Sequence, residues 1–263
     1  MQKFIKNSVL TLASSMLLTP LAFADTKTTA ATQSISPAER ARVETIVHDY
    51  LVNKPEVLVE AMQTLQKKEM EQTQNIIKQT EQNASRYAKP LFHAANDPVA
   101  GNVNGKVTVV EFFDYQCPHC VAMSPILDNV IKSNPNVRVI YKELPIRGPM
   151  SEMAARAALA ANKQGKYTAL NHKLMASNKA LTETIIFDLA KSVGLNVDQL
   201  KKDMQDESIN AQLQVNMKLR DDLNLFGTPA IFVGKTDAKE TDKIQYAPGR
   251  VNEADLKKMI AQA

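Results

Sequence analysis

The sequence predicts an α/β protein: a C-terminal globular domain interrupted by an all-helical insertion, preceded by an N-terminal helical arm. Three observations carry this. β-Branched and aromatic runs flank a helical pattern between residues 106 and 144, in strand–helix–strand order. Strand-like runs return only after residue 229, beyond a long stretch that reads as helix throughout. Residues 36–92 contain no glycine and carry thin apolar stripes at helical spacing.

The elements follow in chain order. Lys3 and Lys6, the apolar run Val9–Ala22 broken by Pro20, and the small residues of Ala22-Phe23-Ala24 read as an export signal over residues 1–24. The run is too short for a membrane span, and no cysteine stands at the expected cut to accept a lipid. A soluble mature chain is expected from Asp25. Residues 25–35, rich in Thr, Ala and Gln, read as a flexible tether.

Order is expected from Ser36-Pro37-Ala38-Glu39, a capping Ser followed by Pro at the first helical position and Glu three residues on. Val43, Ile46, Val47 and Tyr50 form one stripe; Val57, Leu58, Ala61, Met62 and Leu65 form another after Asn53-Lys54-Pro55. From Gln66 to Gln82 the chain turns polar and reads as a spacer. Helices this thin make a poor core of their own. They either fold back on the globular domain or pair with the same arm of a second copy, and the second reading is preferred. Residues 36–92 are thus expected to form an oligomerisation arm and linker, holding a homodimer.

Asn96-Asp97-Pro98 through Gly105 is turn-rich and marks the boundary of the second domain, 96–263. Lys106–Phe113 reads as a buried strand, Met123–Ile131 as helix and Val137–Leu144 as a second strand. That order favours a parallel pair. Residues from about 151 to 224 read as the helical insertion, with Gly165 and Gly194 as breaks and Asn196 and Gln199 as a capping pair. Strands follow at Ala230–Val233 and Ile244–Ala247, then a last helix from Asn252, with Glu253 and Asp255 in its first turn.

Charge narrows the partners. Lys and Arg number 32 and Asp and Glu 28. Without Lys3 and Lys6 the mature chain is nearly neutral, which argues against a nucleic-acid or membrane-surface footprint. Cysteine usage says more. The chain has two cysteines, Cys117 and Cys120. A disulfide closing so small a loop removes little chain entropy and would add little to a domain this large. Reactivity explains the pair better than stability.

A Cys-Pro-His-Cys run at a helix start has a clear physical logic. Cys117 would face the open amides and positive end of the helix, which favour thiolate. Pro118 suits a first turn that needs no N–H. His119 would add a donor, and a charge when protonated. Cys120, one turn on, would be more buried and would resolve the mixed disulfide that Cys117 forms with a client.

Val110-Glu111-Phe112-Phe113 leading to Cys117-Pro118-His119-Cys120, the distant Thr228-Pro229 and the helical insertion between them resemble the DsbA-like thiol-disulfide oxidoreductases of the bacterial periplasm. The likeness covers roughly residues 96–263. The arm resembles the subgroup that oligomerises through N-terminal extensions, disulfide isomerases among them by function. This resemblance implies a thioredoxin-like domain with a helical insertion, preceded by a dimerisation arm. It implies a cis-proline at Pro229 facing the cysteines, with Thr228 presenting its backbone to the client segment as an added strand. It implies a buried acid at Glu111 that relays a proton for Cys120; the weaker alternative is an ordinary charged strand residue. Expected partners are cysteine-containing exported clients and a membrane redox partner, either a DsbB-like oxidase linked to quinone or a DsbD-like reductase. No cofactor is expected, since the cysteines carry the electrons.

Other readings of the same residues are weaker. Structural zinc lacks ligands, because no third cysteine exists and His48, His93 and His172 show no ligand spacing. Met62, Met70, Met153, Met175 and Met204 read as core filler. The functional rivals are a copper chaperone, since a reduced CxxC suits Cu(I), and an envelope scaffold whose redox site is incidental.

Overall fold

The computed structural model of the chain describes residues 36–263, so the expected signal and tether lie outside the described residues. The chain divides into two units, one reaching to Ala61 and the other Met62–Ala263.

The first unit holds α1 (Pro37–Asn53) and the start of α2 (Glu56–Ala84). The expected capping box is formed: Ser36 Oγ accepts the Glu39 N–H, and the Glu39 carboxylate accepts the Ser36 N–H at 3.0 Å. No residue of α1 is buried. Its stripe stands in the open, with Ile46 63 % exposed and Val43, Val47 and Tyr50 about half exposed.

In the second unit a five-stranded sheet runs β1 (Val99–Gly101), β3 (Val137–Glu143), β2 (Val107–Phe113), β4 (Ala230–Lys235), β5 (Gln245–Pro248). β2 and β3 are parallel, joined through α4 (Pro118–Ser133), and the other pairs are antiparallel. β1 falls in the stretch read as boundary turns. Three residues amid Asn, Pro and Gly give too little pattern to see, and the edge of β3 supplies the pairing, Val99 against Ile140.

Strand alternation assigns each side chain to one face. Val109, Phe113, Val139, Tyr141, Ile231 and Val233 pack beneath α4 and α10 (Glu253–Ala261). The insertion, α5 (Pro149–Lys163), α6 (Tyr167–Met175), α7 (Glu183–Ser192), α8 (Val197–Asp203) and α9 (Glu207–Asp222), joins the same core. α5 contacts each of the other four, and its Ala154, Ala155, Ala157, Ala158, Ala160 and Ala161 are buried. Small side chains let those neighbours approach closely.

The opposite face carries Val110, Phe112, Ile140, Phe232 and Tyr246. It is covered by Ala84, by Ala88, Leu91 and Phe92 of α3 (Ala88–Phe92), and by Leu219, Leu223 and Leu225. The stretch expected as spacer therefore packs at its end. Ile77 lies against this core, Thr80 Oγ1 donates to the Leu223 carbonyl at 3.2 Å, and Glu81 accepts the Tyr246 N–H at 3.1 Å. Gly234 makes room for Phe92: a Cβ there would stand 3.1 Å from its ring. Beneath the same segment, buried Lys142 pairs with Asp97 and donates to the Pro90 carbonyl at 2.7 Å.

Two methionines depart from expectation. Met175 and Met204 are buried, but Met62 and Met70 are about 60 % exposed, because the part of α2 that carries them has no core to fill. Among the described residues no helix is long and apolar enough to cross a membrane.

Candidate active site

β2 ends at Phe113, and Asp114-Tyr115-Gln116 turns the chain into α4. The turn is fixed from within by Asp114. Its buried carboxylate accepts the Gln116 N–H at 2.7 Å, the Ile146 and Arg147 N–H groups at 2.8 and 3.0 Å, and the Ser151 hydroxyl at 2.7 Å. The Cys117 N–H donates to the Asp114 carbonyl at 3.1 Å. The redox turn is thereby tied to the start of the helical insertion.

Cys117 is the N-cap of α4, with Pro118 in the first turn. Its carbonyl accepts the N–H groups of Cys120 and Val121, each at 3.0 Å. Pro118 and His119 are exposed, whereas Cys117 and Cys120 are buried free thiols 3.6 Å apart. Burial pushes the Cys117 thiol up. Hydrogen bonding with Thr228, with Cys120 through both backbone and thiol, and with the His119 N–H outweighs it, and the pKa lies below the ordinary thiol value. Cys117 Sγ donates to the Thr228 carbonyl at 3.2 Å, a contact that belongs to the protonated form. Stabilising the thiolate falls instead to the Thr228 side chain, to Cys120 and to the amides that open α4. The His119 backbone N–H adds to this bias toward thiolate.

The loop before β4 supplies the facing wall. The Thr228–Pro229 bond is cis, and Pro229 is buried beside the partly buried Thr228. Chain positions 111 residues apart thus meet at one sulfur.

Glu111 points to the face that holds Val109 and Phe113, beneath α4, and is 1 % exposed. Its Oε1 has no hydrogen-bond partner. Burial first, then the charges of Glu143 and Cys117, raise its pKa well above the carboxylate range. Burial and the Glu111 charge push Cys120 in the same direction. One cysteine is thus biased toward thiolate and its neighbour toward thiol, with an unpaired acid electrostatically coupled to both.

A second buried acid, Glu143 at the end of β3, gave no sequence signal. Its Oε1 accepts the Tyr115 hydroxyl at 2.8 Å and the Tyr167 hydroxyl at 2.6 Å, while Asn171 donates to Tyr115 at 3.1 Å. Burial pushes its pKa up to about 8 against the opposing pull of those phenols. Asp114 and Ser151 were equally silent. Only the polar break between an apolar strand and the CxxC marked Asp114, and nothing marked its partners. Among the described residues, no cluster of three or more His, Cys, Asp or Glu is placed to hold a metal.

Comparisons with known proteins agree with this geometry. Residues 108–261 match the DSBA-like thioredoxin domain family, and residues 39–72 match the copper resistance protein ScsC N-terminal domain. The Na(+)/H(+) antiporter NhaA 3 of Salinispora tropica is 29 % identical over 52 % of this chain and 21 % of its own length. The chain therefore spans about a fifth of the first curated relatives it matches. The thiol:disulfide interchange protein DsbA of Bordetella pertussis is 32 % identical over 53 % of this chain and 68 % of its own. A thioredoxin-like oxidoreductase from Silicibacter pomeroyi is 39 % identical, covering 66 % of this chain and 95 % of its own, with a TM-score of 0.61. BcfH of Salmonella enterica Typhimurium is 31 % identical, covering 86 % and 96 %, with a TM-score of 0.64.

Proposed function

The chain belongs to the DSBA-like thioredoxin domain family, and from that premise we propose that it is an exported thiol-disulfide oxidoreductase acting on envelope and secreted proteins. The observation that carries this reading is Cys117 Sγ, at the head of α4, 3.2 Å from the carbonyl that precedes the cis-proline. A client segment pairing with the backbone at Thr228 would bring its own sulfur to Cys117.

In oxidation, a client thiolate attacks Sγ of Cys117 in the Cys117–Cys120 disulfide. The S–S bond breaks, the client is bound to Cys117, and Cys120 leaves with the electron pair and takes a proton from Glu111. A second client thiolate then attacks the client's sulfur, and Cys117 leaves as the thiolate favoured at a helix start. The client gains a disulfide and the protein holds two reduced cysteines. In isomerisation the Cys117 thiolate attacks a wrong client disulfide and expels one client sulfur, which can then re-pair. In a stalled adduct Cys120 gives its proton to Glu111 and attacks Sγ of Cys117. The Cys117–Cys120 disulfide forms, the bond to the client breaks and the client sulfur leaves as thiolate. A membrane partner, DsbB-like or DsbD-like, resets the pair.

The arm is proposed to join copies into a homodimer. Exposed Val43, Ile46, Val47, Tyr50, Leu58, Met62 and Leu65 support this. Burying each stabilises by about 1.5 kcal/mol, roughly 10 kcal/mol per chain before association costs. A periplasmic location follows from the export signal read at residues 1–24.

The deciding experiment is trapping in cells. Cys120→Ala should accumulate client adducts on non-reducing gels, and Cys117→Ala none. Equal trapping by both would overturn the roles. A second reading, Cu(I) carriage on the free thiols, is favoured by the match of residues 39–72 to a domain of copper resistance proteins. Stoichiometric copper retention without disulfide exchange would establish it.

A further inference from the structure

We propose that Glu143 is a positioning residue for the redox centre: its charge decides when Glu111 accepts the proton of Cys120. The inference rests on the exchange chemistry proposed above and adds a group that chemistry does not use.

The placement comes from strand register. Glu111 stands opposite Tyr141 on the neighbouring parallel strand, and Glu143 lies two residues further along. Both side chains face α4 and α6, so strand spacing sets their Cα atoms roughly 8 Å apart. The two acids differ in what surrounds them. Glu143 Oε1 takes two phenol hydrogens, and Tyr115 is itself supported by Asn171. Glu111 Oε1 and Glu143 Oε2 have no partner.

The groups acting on Glu111 are Glu143 and Cys117, and those acting on Glu143 are Tyr167, Tyr115 and Asp114. Tyr141 lies beside Glu111 and also feels Asp128. None of these is cationic. Two acids share one apolar layer, and only Glu143 is provided with donors for a carboxylate. Glu143 therefore ionises first, and its charge is among the causes that raise Glu111. Its charge then holds the proton on Glu111.

The consequence has a sign. Glu111 takes up the Cys120 proton only as carboxylate. Removing the Glu143 charge lets Glu111 ionise at lower pH, so resolution by Cys120 should begin at lower pH. At an effective dielectric of about 20, a unit charge at that distance corresponds to a shift of about 1.5 pH units.

Dithiobis(nitrobenzoate) mixed with the reduced full-length protein reads both steps. The first thionitrobenzoate released reports attack by Cys117, the second resolution by Cys120. Glu143→Gln should move the pH midpoint of the second phase about 1.5 units acidward, Tyr167→Phe should move it the same way, and Glu143→Asp should leave it in place. A midpoint unmoved in both Glu143→Gln and Tyr167→Phe overturns the inference, as does an equal shift in Glu143→Asp. If Glu143→Gln fails to fold, Tyr167→Phe decides alone. A wild-type protein with no second phase would instead sink the exchange chemistry itself.

Discussion

Replacing Asp114 by Asn tests whether the redox turn is held by one carboxylate. The substitution keeps the size and removes the charge. One oxygen accepts from Gln116 and Ser151, the other from Ile146 and Arg147. The amide settles in its cheaper orientation, with its NH2 toward Ser151, whose hydroxyl turns to accept. The Gln116 N–H then loses its acceptor, at about 1.5 to 3 kcal/mol for a buried group. The Ile146 and Arg147 bonds change from charge-assisted to neutral, about 1 kcal/mol each. The expected loss is about 3 to 5 kcal/mol, read by urea unfolding of the reduced protein. Hydrogen exchange should show lost protection at Gln116, and the thiolate titration of Cys117 should move up as the start of α4 loosens. A stability loss below about 1 kcal/mol, with Gln116 protection intact, would refute the assignment.

Titrating thiolate absorbance of the reduced protein should place Cys117 below the ordinary thiol range and Cys120 above it; two ordinary values would remove the basis for their division of labour. Because the folded Cys117 pKa is depressed, its contribution to stability is present above the unfolded thiol pKa and lost as pH falls through the folded one. In Cys120→Ala that loss should appear as a pH-dependent unfolding midpoint absent from the Cys117→Ala, Cys120→Ala double variant. Phe92→Ala should cost about 3 to 5 kcal/mol without altering the Cys117 titration, since Phe92 packs on the face away from the cysteines; an altered titration would contradict that separation. Light scattering of the intact protein and of a chain starting at Met62 should show a dimer and a monomer. A full-length monomer would end the proposal for the arm.

Much of this was legible in the sequence, and the gaps have a common cause. The CxxC, its strand and the Thr228-Pro229 pair are local signals, each a short run with its own chemistry. β1 was hidden because three residues carry no period. The end of α2 was read as spacer because Ile77, Thr80 and Ala84 keep helical spacing with only one large apolar side chain among them. Asp114 and Glu143 matter through partners 24 to 37 residues away, and such bonds leave no mark on local composition. Glu111 was found only through family resemblance, since one acid in an apolar strand has several explanations.

The seven residues of β2 have a consequence beyond their place in the sheet. Counting along Val107–Phe113, every second side chain meets the layer that holds the two cysteines, and the intervening ones meet a dry layer that holds the end of α2 and α3 in place. The strand is a partition wall with two tenants. Substitution on the dry side, at Val110 or Phe112, bears first on the helices packed over that face and not on the cysteines. Glu111 stands on the other side, buried beneath α4 with Val109 and Phe113. One strand thereby lets a single redox engine be fitted to different attachments.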